Sequence, residues 1–225
     1  MPLLRRQPLG RESISHNDLG SAVTLSLPLT RAARPYSWPV IVVAEYDPVW
    51  PERFERLRRE YADAMAAASV PVVAIEHVGS TSVPGLAAKP IIDCDIIVSE
   101  SEVAAASKVL ISLGFMPLGE LGIPQRWAFK EPARLAGTNT YVTVGGCLSL
   151  RNHLGVREVL RADAALRDEY AAVKRDAGAR AANIDEYGQL KGPVVQKILA
   201  AAGLTEAERA AIASSNVPTH EELPR

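Results

Sequence analysis

Between Ile75 and Val98 the chain reads I-E-H-V-G-S-T-S-V-P-G-L-A-A-K-P-I-I-D-C-D-I-I-V, and no other stretch restricts the possible folds as much. A Gly-Ser pair, Gly79-Ser80, follows one apolar run, and two aspartates, Asp93 and Asp95, lie inside a second. Carboxylates within a buried strand are costly unless a partner compensates them. Residues two apart on a strand project to one face, so Asp93 and Asp95 aim together while Cys94 points away into packed core. Isoleucines on both sides argue against turn or capping aspartates. Two convergent carboxylates make a hard, oxygen-rich site suited to Mg²⁺ or Mn²⁺. Upstream, a Gly-Ser turn can open a helix whose free N–H groups accept a phosphate. The expectation is a metal–phosphate site, with Asp93 and Asp95 on the metal and Gly79 and Ser80 on the phosphate.

Periodicity places this stretch in a mixed α/β chain. Ile41–Glu45 is predicted as a short strand, and Trp50, Phe54, Leu57, Tyr61 and Met65 fall at helical spacing after the Asp47-Pro48 turn. Val72–His77 and Ile91–Val98 are strands, the second apolar enough to be central and covered on both faces. Ser99-x-x-Glu102 has capping-box form and opens a helix that stops at Gly114. Phe115–Leu118, Trp127–Lys130 and Tyr141–Val144 are further strands. Helices follow over Leu150–Arg161, over Ala164–Ala177 with Asp163 as cap, and over Asp185–Ala201, the last expected to kink or split at Gly188, Gly192 and Pro193. Thr205-x-x-Glu208 opens a short final helix. The domain reading is a mobile extension over 1–38 with a possible strand at Ala22–Leu27, a folded domain over 39–203, and a short helix with a frayed tail over 204–225.

Composition excludes several classes. The formal net charge of −1 gives no support for a nucleic-acid surface. No apolar run approaches the roughly 20 residues of a membrane span. Cys94 and Cys147 are the two cysteines, without C-x-x-C or zinc spacing. A cytoplasmic protein is the expectation, with its oligomeric state left open.

The segments Y-D-P-V-W-P-E-R-F (46–54) and I-E-H-V-G-S-T-S-V-P-G-L-A-A-K-P-I-I-D-C-D-I (75–96) resemble the GrpB family of the nucleotidyltransferase superfamily. Gly122-Ile123-Pro124, the Arg126…Lys130 strand, Arg157-Glu158-x-x-Arg161, Tyr170-x-x-x-Lys174 and Lys191 agree with it. The resemblance implies a nucleotidyltransferase-like mixed sheet flanked by helices, with a helical C-terminal part. It also implies a Gly-Ser turn gripping a nucleoside triphosphate and an Asp-x-Asp pair holding divalent metal. Gly79 and Ser80 match the turn; Asp93 and Asp95 match the carboxylates. Transfer of a nucleoside monophosphate from ATP to a small-molecule acceptor is the implied reaction. Carboxylate adenylation for amide formation, and nucleotide binding without turnover, stand as alternatives. Thr143 occupies a position where many relatives have histidine, and no third carboxylate comes from that strand.

Other residues carry two readings each. Thr81 is a hydroxyl donor beside the turn, and Lys89 either meets phosphate or is solvated. His77 either orients the turn or moves a proton. Arg126 and Lys130, four apart on a strand, either reach one anion or guard an edge. Arg157, Glu158 and Arg161 read first as a surface ion-pair face, and His16, His153 and His220 carry no case.

Overall fold

A computed structural model describes residues 41–215. The extension over 1–38, the strand at Ala22–Leu27 and the tail beyond 215 lie outside the described residues. The elements run α1 (Val49–Ala67), β1 (Ala74–Val78), a 3₁₀ turn (Ser80–Ser82), β2 (Ile92–Val98), α2 (Val103–Ser112), β3 (Met116–Gly119), β4 (Arg126–Lys130) and β5 (Thr138–Val144). Four helices complete the order: α3 (Leu148–Ala162), α4 (Ala164–Arg180), α5 (Ile184–Ala201) and α6 (Glu206–Ser215). The strands form one sheet in the order β1-β2-β5-β4-β3. Only the central pair, β2 and β5, is parallel; the others are antiparallel. This is the nucleotidyltransferase-like mixed sheet that the resemblance implied.

Alternation along β2 separates two layers. Cys94, Ile96 and Val98 pack with Val142 against Trp50, Phe54, Leu57, Tyr61 and Met65 of α1 and the apolar stripe of α2. Asp93, Asp95 and Ile97 take the other face, where Ile97 meets Cys147 and Leu150 at the start of α3. Helices α3, α4 and α5 bury Leu160, Leu166, Tyr170, Val194 and Ile198 against Val83, Leu86 and Ala87 of the loop after the 3₁₀ turn. The acidic face of the sheet therefore looks toward the helical part, and the turn is pinned between the two.

Several local expectations hold: Asp163 caps α4 by accepting from Leu166 N at 2.9 Å. Gly114 follows α2 at φ +93, as a helix stop requires. At α6 the Thr205–Glu208 capping box closes, Thr205 N donating to Glu208 Oε2 at 2.9 Å and Glu208 N to Thr205 Oγ1 at 3.3 Å. The helix then packs on α5 through Leu199, Leu204 and Ile212.

Three expectations need correction. The Ile41–Glu45 strand reduces to one bridge, Ala44 with Ala88, made of two 2.8 Å hydrogen bonds, because no longer partner strand runs beside it. Ser99 does not cap α2: its hydroxyl pairs with Ser101 at 2.9 Å, and a 3₁₀ turn over Glu100–Glu102 precedes the helix. Helix α5 is not split at Gly188, Gly192 or Pro193, the helix continuing through all three. Tyr187, Val194, Ile198 and Leu199 are all buried along it, and that packing outweighs the roughly 3 kcal/mol proline penalty. Among the described residues, no helix is long and apolar enough to cross a membrane.

Candidate active site

The site begins at the turn that ends β1. Val78 pairs with Asp93 in the antiparallel ladder, so the next residue, Gly79, is carried onto the Asp93 side chain. Gly79 has φ +69, and a Cβ placed there would collide with the Asp93 carboxylate, 2.8 Å from its Cγ. Glycine is needed twice over, for the left-handed backbone and for the close approach. Ser82 locks the turn by donating its hydroxyl to Gly79 O at 2.6 Å.

Asp93 Oδ1 accepts from Asn139 Nδ2 of β5 at 2.7 Å. Burial raises the Asp93 carboxyl above its ordinary pKa; Asn139 opposes the rise and the neighbouring Asp95 adds to it. Asp95 is 0% exposed. Its Oδ2 accepts from His153 Nδ1 of α3 at 2.8 Å, and its Oδ1 is buried without a hydrogen-bond partner. A carboxylate raised by burial beside a second one with an orphaned oxygen is a donor set short of a cation. Among the described residues, no three His, Cys, Asp or Glu side chains form a metal cage by themselves. The pair fits Mg²⁺ in its usual protein setting, where one or two carboxylates act together with substrate phosphates.

A cationic wall faces Asp93. Lys89 follows the turn, Lys174 comes from α4 and Lys191 from α5, and each interacts electrostatically with Asp93. Lys174 is 2% exposed, its Nζ has no hydrogen-bond partner, and it stands 5.1 Å from the centre of the Tyr170 ring. Lys191 stands 4.2 Å from the Tyr187 ring centre and Lys89 5.7 Å from it. Burial, then the repulsion of neighbouring lysines, lowers Lys174 to about 7 and Lys191 to about 8. Desolvated ammonium groups crowded without a carboxylate partner of their own are groups whose charge a bound anion would balance.

The residues singled out in the sequence divide accordingly. Asp93, Asp95, Gly79, Ser80 and Lys89 are brought together. Ser80 hydrogen-bonds the Tyr170 phenol, which burial pushes up to about 12. His77 and Thr81 turn elsewhere. His77 pairs with Cys94 across the ladder, on the opposite face from the aspartates, and stacks on Phe54 at 4.6 Å. Its Nε2 lies 3.0 Å from Thr81 Oγ1, which also donates to Ile91 O at 2.9 Å. The Thr81 hydroxyl is thus spent on holding the turn. Burial lowers His77 to about 4, and Arg161 and Arg157 add to that shift, so it is a neutral brace. Arg126 lies on the site face, 4.8 Å over the Tyr141 ring. Lys130 is exposed at the other end of the strand, about 13 Å further on at ~3.3 Å per residue, so the two do not converge.

Four contributions escaped the sequence reading. His153 and Asn139, each holding an aspartate, carry no local signal, since their partners lie 58 and 46 residues away. Arg157 and Arg161 pair with Glu158 at 2.7 and 3.7 Å, as an ion-pair face requires, and they also clamp the turn. Arg157 Nη1 donates to Glu76 Oε2 at 2.7 Å and to His77 O at 2.8 Å. Arg161 Nη2 donates to Ser82 O at 2.8 Å. Glu76 pairs with Asp95 in the ladder and so shares its face, yet Arg157 occupies it. From β5, Asn139, Tyr141 and Thr143 share the site face, and Thr143 is fully buried with its hydroxyl unpartnered.

The site is thus a strand–glycine turn–strand unit that presents an Asp-x-Asp pair to a lysine wall. The family described as GrpB protein matches residues 40–201, and the chain belongs to that family. A UPF0157 protein of Halalkalibacterium halodurans is 34% identical over 168 residues, covering 73% of this chain and 84% of the relative. A UPF0157 protein of Streptomyces coelicolor is 35% identical over 170 residues, covering 72% and 84%. The crystal structure of conserved protein GrpB from Enterococcus faecalis superimposes with a TM-score of 0.57 at 28% identity, covering 70% of this chain and 99% of that one.

Proposed function

We propose that the protein is a Mg²⁺-dependent nucleotidyltransferase that moves a nucleoside monophosphate from ATP to a small-molecule acceptor. The observation that carries this reading is the trio Lys89, Lys174 and Lys191 gathered around Asp93, with Lys174 Nζ buried and unpartnered. A triphosphate tail would give these ammonium groups their missing counter-charge. Gly79 and Ser80 would hold the tail from the strand side, where the absent Cβ leaves room beside Asp93. Asp93 and the free Oδ1 of Asp95 would hold the metal, which supplies charge neutralisation at the phosphates when bound.

The chain's part in the reaction is positioning. The lysines and the glycine turn hold the β- and γ-phosphates that leave as pyrophosphate, and His153 keeps Asp95 in one orientation. A phosphorus–oxygen bond forms to the acceptor as the bond to the β-phosphate breaks. Pyrophosphate leaves with the electron pair, and the acceptor's proton is released to water.

Isothermal titration with ATP and GTP in Mg²⁺ tests the reading. ATP should bind, and Asp93→Asn with Asp95→Asn should abolish that binding; equal binding by the double variant would sink the metal assignment. A second reading, nucleotide binding without turnover, is favoured by the engagement of Asp95 with His153 and by the lack of a three-residue metal cage among the described residues. Pyrophosphate release on addition of acceptors separates the two.

A further inference from the structure

A cavity of about 460 Å³ opens beside Arg126 and His153. It lies between the β3–β4 loop, the first turns of α3 and the inner face of α6, with Ile123, Leu148, Asn152 and Ile212 among its walls. His153, bonded to Asp95, forms its inner end. No Asp, Glu or Lys lines it, and Arg126 is its one permanently charged side chain. The Arg126 Nε is buried without a hydrogen-bond partner, and its guanidinium carbon stands 4.8 Å from the Tyr141 ring centre. An aromatic-backed guanidinium with an unused donor is a fork for a carboxylate or phosphate.

The geometry points to this cavity as the acceptor site, and to the acceptor as a small molecule bearing a carboxylate or phosphate that Arg126 grips. This rests on the nucleotidyltransferase reading above and deepens it. In-line displacement puts the attacking group opposite the leaving pyrophosphate. Arg126 pairs with Thr143, which pairs with Ile97, so Arg126 lies beyond Asp95 along β2, whereas Gly79 and Lys89 adjoin the Asp93 end. The cavity and the glycine turn with Lys89 therefore lie at opposite ends of the pair. The volume lies in the lower part of the roughly 300–1,000 Å³ that small-molecule sites occupy. The acceptor's anion sits on Arg126, its apolar body lies against Ile123 and Ile212, and its attacking oxygen faces the aspartates.

Amide NMR spectra of the full-length protein test this without knowing the acceptor. Succinate and glycerol 3-phosphate are the anionic probes, one for each head group, and glycerol is the neutral control. The expected result is that at least one anion shifts Ile123, Asn152 and Ile212, that glycerol does not, and that R126Q weakens the binding by about tenfold or more. R126K, which keeps the charge and loses the fork, should fall between them. Shifts confined to Lys89, Lys174 and Lys191, equal shifts with glycerol, shifts that persist in R126Q, or no shifts at all overturn the proposal. Titration with ATP and Mg²⁺ in the same spectra reads the other claim: ATP binding without anion binding sinks the acceptor site alone. Anion binding at Arg126 without ATP binding sinks nucleotidyl transfer and leaves a small-anion site.

Discussion

His153 reaches from α3 to Asp95 on the central strand, its Nδ1 donating to Oδ2 at 2.8 Å. The contact joins the helical part to the sheet at Asp95, the one wholly buried acidic residue among the described residues. His153→Ala removes the donor and leaves a buried carboxylate uncompensated, which should destabilise the protein by about 2–4 kcal/mol in urea unfolding. Asp95→Asn removes the other half, and the double variant should show a coupling of at least about 0.5 kcal/mol. Strict additivity in that cycle would mean the contact contributes nothing.

Gly79→Ala should disable the site more severely than its size suggests. The methyl would strike Asp93 at a backbone angle of φ +69, which side chains rarely adopt. Strain of about 1–3 kcal/mol is expected, with loss of MgATP binding in calorimetry. An alanine variant that binds ATP normally would show that the turn is not the phosphate grip.

The lysine wall makes stability depend on pH in a direction opposite to that of an ion-paired lysine. Lys174 and Lys191 titrate at about 7 and about 8 in the fold, against an ordinary 10.5 when unfolded. Between these values the unfolded chain binds more protons than the native one, so stability rises with pH from about 7 toward 10.5. Thermal unfolding without nucleotide should shift upward from pH 7 to pH 9, and Lys174→Met should flatten the rise. Nucleotide binding should reverse part of the shift and take up protons near pH 8. Calorimetry in buffers of different ionisation enthalpy reads that uptake, and its absence would place the triphosphate elsewhere.

Arg157 and Arg161 hold the two ends of the glycine turn through His77 O and Ser82 O. Arg157→Ala should also free Glu76 and loosen residues 77–83. Hydrogen exchange there should speed up about tenfold while β5 amides stay protected. Uniform acceleration across the sheet would instead indicate global destabilisation.

Much of this was legible in the residues. Strand alternation put Asp93 and Asp95 on one face and Cys94 on the other, because a two-residue period is a property of the backbone itself. The apolar stripe of α1, the Asp163 cap and the Thr205 box were equally readable, since each involves partners within a few residues. The failures were tertiary. Ser99 had a competing hydroxyl at Ser101, and α5 passed Pro193 because buried neighbours on both sides held it. His77 looked like a site residue from its place before the turn, yet the ladder set it on the far face.

By itself, the order of residues determined a sheet carrying a paired-carboxylate strand behind a glycine turn, because both features depend on neighbours two to four positions apart. Only the tertiary structure decided what meets that pair. Lysines from positions 89, 174 and 191 converge on Asp93, His153 fastens Asp95, and Arg126 stands alone over a cavity under α6. These partners come from separate elements, and their meeting depends on how α3, α4, α5 and α6 pack, which no local period encodes.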